Sequence, residues 1–182
     1  MKTIIGLFFF LVLLISNVSH AGTQVLGFEI NKSTFNEVKE KLSKQTKVVD
    51  AGLSKYSNGP VIATNGDIYG VDGLNMVIFA FDSQKRLVAV SMEIEKNNGL
   101  ERFDSLFEMI AAKKYKLISK RRPFVGDAYA KFTTPDAEIE INAPHLSFKM
   151  AVVYATKEFM QTSRTQRTEE AAEKKQKESA NF

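Results

Sequence analysis

The 182-residue chain carries 25 Lys and Arg against 21 Asp and Glu, which leaves a formal net charge of only +4 at pH 7. It contains no cysteine, which excludes disulfides, thiolate nucleophiles, thiolate metal sites and the lipidated cysteine of a bacterial lipoprotein. The charge is too small to favour nucleic acid as a partner, and 14 phenylalanines without any tryptophan predict a core filled mainly by Phe.

Residues 1–21 have the composition of a secretory signal peptide. Lys2 supplies a positive start, residues 4–15 form an almost unbroken apolar run, and the small residues Ser19 and Ala21 precede the predicted cleavage point. The alternative is a membrane anchor, but the run is well short of the ~20 apolar residues that a spanning helix needs. We therefore expect a periplasmic or secreted protein with no transmembrane segment after cleavage.

Residues 27–42 predict a short strand, a turn and then a capped amphipathic helix. Phe28 and Ile30 alternate with polar residues, which is the period of a half-buried strand. Thr34 and Glu37 have the spacing of a capping box, in which each side chain accepts a hydrogen bond from the other's backbone N–H. The apolar residues that follow recur on one helical face: Phe35, Val38 and Leu42.

The segment after this helix predicts an antiparallel meander with one face covered by the helix. Residues 47–51 suggest a short strand, and Asn58-Gly59-Pro60 and Asp72-Gly73 suggest turns. Asn65-Gly66 lies between two apolar stretches and predicts a two-residue hairpin. Two further runs, 76–81 and 87–94, read as strands joined by a turn at 82–85.

A second helix-then-strands unit follows. Asn98 and Glu101 predict the start of a helix, and Pro123 confines the segment after that helix to a sheet edge. Three further strands are predicted at 128–133, 137–142 and 146–154. The helical stripe of this unit comprises Leu100, Phe103, Leu106, Phe107 and Ile110.

These patterns predict an α+β fold of two tandem helix-plus-antiparallel-sheet units packed as one domain. The domain would span 22–157, with pseudo-repeats at about 22–96 and 97–157. Residues 158–182 predict a charged C-terminal tail, because most of the tail has good helix propensity but no large apolar residue to bury. The pattern leaves open whether that tail is a helix or is disordered.

Isolated polar residues offer little chemistry. His145 lacks a neighbouring nucleophile motif or a second ligand at metal spacing, so we expect a surface loop histidine. Glu138 and Glu140 share one strand face, where the alternation places them towards solvent. Asp67 and Asp72 lack the dense oxygen ligands of a calcium loop and are typical of turns. We expect no catalytic, cofactor-binding or metal residues.

The chain contains one concentrated basic segment, with Tyr115 and Phe124 nearby. As a functional surface this segment would suit an acidic protein, anionic lipid head groups or nucleic acid. Nucleic acid is the least expected of the three, because the protein is predicted to be exported. The alternative is structural, since Lys complements the end of a helix and charge protects an edge strand. The segment comprises Lys113, Lys114, Lys116, Lys120, Arg121 and Arg122.

The chain resembles, at the level of architecture, a group of small exported bacterial proteins. This group includes β-lactamase inhibitor proteins and the small lipoprotein subunits of outer-membrane assembly machines. The resemblance is carried by the strand, turn and helix around Thr34, Glu37, Val38 and Leu42, and by the repeated helix-then-sheet order. It implies an α+β fold and an inhibitor or envelope accessory role. No functional residue is transferred, because Asn31-Lys32-Ser33 stands where the group usually has a glycine before the threonine.

Taken together, the sequence predicts a non-enzymatic protein-binding module that needs no cofactor and binds another envelope or secreted protein. The partner would meet the exposed sheet face or the basic segment. The competing hypothesis is a carrier of lipid or another small ligand, in which a Phe-rich sheet and helices enclose an apolar pocket. An enzyme is a third hypothesis, which no spacing of residues supports.

Overall fold

The computed structural model describes residues 22–97 and 99–179. The predicted signal peptide lies outside these residues and stays a prediction. The first unit begins with a two-stranded ribbon, β1 (Gln24–Val25) and β2 (Phe28–Glu29), followed by helix α1 (Phe35–Ser43). Four strands then follow, namely β3 (Val49–Leu53), β4 (Asn58–Asn65), β5 (Leu74–Asp82) and β6 (Leu87–Glu95).

The second unit repeats this order of one helix and four strands. Its elements are α2 (Glu101–Ala111), β7 (Lys116–Arg121), β8 (Ala128–Thr133), β9 (Ala137–Ala143) and β10 (Lys149–Thr156). A long helix, α3 (Lys157–Ser179), follows β10 directly. The C-terminal segment, which the sequence left open between helix and disorder, is therefore helical to residue 179. The predicted α+β class is confirmed.

All eight strands from β3 to β10 join one antiparallel sheet in the order β3-β4-β5-β6-β10-β9-β8-β7. The last strand of each unit meets the other at the centre, where Met92 pairs with Val152 and Val90 with Tyr154. The two units thus share a continuous sheet, with β3 and β7 as its edges.

Helices α1 and α2 cover the same face of this sheet, here called the inner face. Their buried residues join the inward side chains of the strands in a single core. Phe28 packs edge-on against Phe79 at 5.6 Å between ring centroids, and Phe107 lies 5.3 Å from Phe132. Phe is therefore the main large filler of the core, as the composition predicted.

The capping box that begins α1 is confirmed. The Thr34 hydroxyl accepts a hydrogen bond from the Glu37 backbone N–H at 3.4 Å, and the Glu37 carboxylate accepts one from the Thr34 N–H at 2.8 Å. Val38 and Leu42 are buried and Phe35 packs against the core, so the predicted stripe is also confirmed.

The predicted hairpin at Asn65-Gly66 is wrong. The chain instead makes a 3-10 turn (Asp67–Tyr69) before β5 begins at Leu74. Gly66 has an ordinary φ of −87°, and a Cβ there would overlap the Leu74 carbonyl oxygen. The glycine therefore serves close backbone approach rather than a positive φ.

Two further expectations need correction. Asn58-Gly59-Pro60 lies at the start of β4 and not in a turn. Gly59 has no side chain there, which leaves room for the backbone of Phe81 and Asp82. Helix α2 begins at Glu101 with Leu100 at the cap position and no side-chain cap. Asn98, the predicted cap, lies outside the described residues.

Candidate functional site

Helix α3 packs on the outer face of the sheet and covers only part of it. Met160 is buried against Ala80, Ala89 and Ala155, which form one row across β5, β6 and β10. Phe159 beside it packs edge-on against Tyr56 at 5.6 Å between ring centroids. The helix is thereby anchored at its first turns, and residues 171–179 are exposed.

Beside α3 the outer face presents a half-buried apolar centre. One row pairs Ala63 with Ile78, Ile78 with Ser91, and Ser91 with Val153 across four strands. In the next row Glu93 lies between Met76 and Ala151. We call this set the outer strip, and its members are Ala63, Met76, Ile78, Ser91, Ala151 and Val153.

Charged and polar side chains border the outer strip. On one side Lys149 pairs with Glu93 at 2.6 Å. On the other, Lys131 and Arg164 both pair with Glu138, at 2.8 and 2.5 Å. Glu138 and Glu140 are therefore not simply solvated, as the alternation suggested, because Lys131 and the Arg164 side chain of α3 partly cover them.

The surroundings of Glu138 and Tyr129 shift the pKa of each of these two side chains. Burial alone would raise the pKa of Glu138, but hydrogen bonds from Lys131 and Arg164 outweigh that effect and lower it. Burial and the adjacent Glu140 carboxylate together raise the pKa of Tyr129, whose hydroxyl donates to Glu140 at 3.0 Å. Glu138 is thus ionised at neutral pH, and the Tyr129 hydroxyl remains a hydrogen-bond donor.

The six predicted basic residues do not form one patch. Lys113 and Lys114 follow the end of α2, and Arg122 lies beyond the far end of β7, which is about 16 Å long. Arg122 makes a two-point contact with the Asp104 carboxylate, at 2.7 and 2.9 Å from Nε. The Lys120 ammonium lies 3.4 Å from the centre of the Phe107 ring.

The register of β7 divides the remaining basic residues between the two faces. Lys116 pairs with Thr133 and Arg121 with Tyr129, so both lie on the outer face. Lys120 pairs with the buried Ala130 and lies on the inner face. Only Lys116 and Arg121 therefore extend the charged border of the outer strip.

A group of exposed apolar side chains lies at one end of the sheet, and sequence reasoning missed it. Phe124 and Val125 occupy the loop from β7 to β8, and Leu146 and Phe148 the loop from β9 to β10. Phe124 is fully exposed, Leu146 is 94% exposed and Phe148 is 87% exposed. We call these four residues the loop-end patch. The alternation through residue 154 predicted Leu146 and Phe148 to be in a strand, but β10 begins only at Lys149.

Hydrogen bonds fix the two loops of the patch against each other. The His145 backbone N–H donates to the Asp127 carboxylate at 2.8 Å, and Arg121 Nε donates to the Asp127 carbonyl at 3.2 Å. Lys96 Nζ donates to the Pro144 carbonyl at 2.6 Å. A cavity of about 420 Å³ between them is lined by Lys96, Leu100, Phe124, His145, Leu146 and Phe148.

The start of the described chain is tied to the second unit. Asp136 accepts hydrogen bonds from the Thr23 backbone N–H at 3.0 Å and from the Thr23 hydroxyl at 2.6 Å. Burial alone would raise the pKa of Asp136, but these bonds and one from Thr134 hold it below its ordinary value. An adjoining cleft of about 630 Å³ includes Tyr115 and Pro135 in its lining.

The remaining single-residue candidates have structural surroundings. Asp67 accepts a hydrogen bond from the Asn65 side chain at 2.8 Å, and Asp72 pairs with Arg102. His145 is exposed in its loop. Across residues 22–97 and 99–179, no three His, Cys, Asp or Glu side chains are grouped as metal ligands would be. In the same part of the chain, no helix combines the length and apolarity needed to cross a bilayer.

Comparison with known proteins adds nothing to this geometry. A scan of protein-family models, a search of curated proteins and a search of solved structures each found no match.

Proposed function

We propose that the protein is an exported, non-enzymatic protein-binding module that acts in the periplasm or outside the cell and contacts its partner through the outer strip. The observation that carries this proposal is the composition of that face. Apolar side chains surround Ser91 at its centre, and ion pairs and a tyrosine border them, which is the anatomy of a protein interface.

The dimensions of the sheet suit such a partner. The strip and its border extend over the six neighbouring strands β4-β5-β6-β10-β9-β8, which is about 24 Å between the outermost strands. A standard interface covers about 800 Å² on each partner, which corresponds to a patch of similar width. The sheet is held by long ladders on both sides of β6 and β10, so binding would cost little ordering of the backbone.

Packing of the inner face favours this function over the carrier hypothesis. Phe79, Phe81, Phe103 and Phe132 have no exposed surface and fill the layer between helices and sheet. A lipid would have to displace these side chains, whereas the outer strip is already accessible to a folded partner.

The basic segment contributes to this proposal through two of its residues. Lys116 and Arg121 extend the border at the β7 edge, so the partner is expected to place acidic groups there. The resemblance to inhibitor proteins and assembly lipoproteins remains part of the proposal, and it suggests an inhibitor or an envelope accessory protein.

The test places a large charge at the centre of the strip. Purified Gly22–Phe182 chain, tagged, is used to retain proteins from the envelope and medium of its source, and each retained protein is identified. Ser91→Arg should abolish retention of any specific partner, because Ser91 lies between Ile78 and Val153. The matched control is Gln176→Arg, which adds the same side chain to the exposed end of α3.

A second variant protects the test against misfolding of the first. Lys116→Glu changes one exposed residue at the β7 edge and should weaken retention without changing the thermal midpoint. Retention that is equal for wild type, Ser91→Arg and Lys116→Glu would overturn the proposal. So would the absence of any stoichiometric protein partner.

A further inference from the structure

The loop-end patch is separate from the outer strip and has different properties. Its apolar side chains project from loops and are almost free of contact with the rest of the protein, as the exposure of Phe124, Leu146 and Phe148 shows. Single exposed apolar residues are ordinary, but four in two neighbouring loops form a patch that needs an explanation.

The loops that carry the patch are held in place. Asp127 connects the two loops through His145, and the Lys96 ammonium bonds the carbonyls of Pro144 and His145 at 2.6 and 3.2 Å. Arg122 fixes the first loop to α2 through Asp104. The apolar side chains are therefore presented by a preorganised frame, and their exposure is maintained by these bonds.

Cations are close to the apolar side chains in the sequence of both loops. Arg122 is two residues from Phe124, and Lys149 adjoins Phe148, so each charge lies within about 7 Å of an apolar residue along the chain. Residues 120–127 and 144–149 together contain four Lys and Arg and one Asp, namely Lys120, Arg121, Arg122, Lys149 and Asp127.

Some of this charge is balanced by neighbouring carboxylates. Asp104 offsets Arg122, and Glu93 offsets Lys149. Within the part of the chain that the structure describes, Lys96, Lys120 and Arg121 have no carboxylate partner. These three positive charges compare with two further carboxylates nearby, Asp127 and Glu95. The surroundings of the patch are thus net positive.

We propose that the loop-end patch docks the protein on an anionic lipid surface, with Phe124, Val125, Leu146 and Phe148 inserted among the acyl chains and Lys96, Lys120 and Arg121 at the level of the head groups. Arg121 is three residues from Phe124, about 10 Å along the chain, and the Lys96 ammonium bonds the His145 carbonyl next to Leu146, so these charges lie at a distance comparable with the 5–10 Å depth of interfacial insertion. A fluid bilayer accepts protruding side chains without a complementary pocket, whereas a protein partner would need one for each. Anionic lipid then attracts the cations at the base of the loops.

The chain contains no tryptophan, so one introduced Trp reports on a single position. Phe124→Trp places the reporter in the patch, and Leu53→Trp places it at an exposed apolar site on the β3 edge, where Leu53 is 76% exposed. Both are made in Gly22–Phe182, because residues 1–21 would themselves partition into lipid. Vesicles of phosphatidylcholine alone are compared with an equimolar mixture with phosphatidylglycerol.

On the mixed vesicles, the indole emission of the Phe124→Trp variant is expected to shift to shorter wavelength and to be quenched by lipids brominated on the acyl chain. The emission of the Leu53→Trp variant should change little. In sedimentation assays Phe124→Ser combined with Phe148→Ser should bind at least about tenfold more weakly than wild type, with an unchanged thermal midpoint. Leu53→Ser is the control. Added salt should weaken binding, because head-group attraction is screened.

Several outcomes would overturn the proposal. These are no binding to either vesicle, equal binding to both compositions, or binding that the Phe124 and Phe148 substitutions leave unchanged. Loss of protein retention by the same double variant, with vesicle binding intact, would assign the patch to a protein partner instead. Because Ser91→Arg tests the outer strip by protein capture, failure of one proposal is distinguishable from failure of the other.

Discussion

Met160 is the residue on which docking of α3 depends most. It is 4% exposed, and its neighbours on the outer face are the small side chains of Ala80, Ala89 and Ala155. Truncating a buried Met to Ala costs ~2–5 kcal/mol, and we expect about 2 kcal/mol here because the cluster is small. That free energy corresponds to a change of about 30-fold in an opening equilibrium.

The remaining contacts of α3 are the Phe159–Tyr56 ring pair in its first turn, the pairing of Arg164 with Glu138, and exposed ion pairs, and they are weaker than the burial of Met160. Lys55 pairs with Glu170 at 2.6 Å, but both side chains are more than half exposed, and such pairs contribute ~0–1 kcal/mol. Past Met160 the helix has few apolar residues, and an isolated helix of this kind is marginal in water. Met160→Ala should therefore release α3 locally and leave the rest of the fold intact.

Hydrogen exchange measured by mass spectrometry tests this prediction. Amides at 161–175 should lose protection about 30-fold, while those of β5 and β6 should stay close to wild type. Gln176→Ala, at the exposed end of the same helix, is the control. The reasoning is refuted if α3 keeps its protection in Met160→Ala, or if β5 and β6 lose protection to the same degree.

Two further substitutions test the surroundings of the site. Asp136→Asn should lower stability at neutral pH. Because the folded pKa of Asp136 is lowered, the wild-type advantage is fully present above about pH 4 and is lost as the pH falls through that lowered pKa. Urea midpoints of both proteins against pH check this, and a difference that grows on acidification would contradict it. Gly66→Ala should lower the stability of the fold more than Gly70→Ala does. A Cβ at Gly66 would overlap the Leu74 carbonyl. Gly70 has open space around it, so an alanine there meets only the cost of its φ of +62°, which is ~1–2 kcal/mol. Thermal midpoints measure both, and a milder effect at Gly66 would refute the steric explanation.

Local patterns in the sequence were enough to predict most of the elements. Thr34 and Glu37 are three residues apart and cap the start of α1 by bonding each other's backbone, so this cap does not depend on residues far away in the sequence. The alternation of Glu138, Ile139, Glu140 and Ile141 likewise predicts β9, because the period of a strand is a property of the backbone. The α+β class follows from the order of such elements.

The candidate site was only partly predictable, for reasons seen in particular residues. Lys116 and Lys120 are close in sequence, but the register of β7 with β8 places them on opposite faces of the sheet. Leu146 and Phe148 continue the alternation of β10, yet the pairing with β9 reaches only Ala151 and Asn142 and leaves both residues in the loop. An alternating pattern does not state where its partner strand ends.

The sequence by itself determined that this chain forms two helix-then-strand units, because capping, amphipathic periodicity and alternation act over a few neighbouring residues. Only the tertiary structure decided that β6 and β10 join the units into one sheet, that Met160 anchors α3 on its outer face, and that four apolar side chains meet at the loop end. Each of these depends on contacts between residues far apart in the chain. Such contacts are selected by packing and hydrogen bonding of the whole fold, which no local pattern encodes.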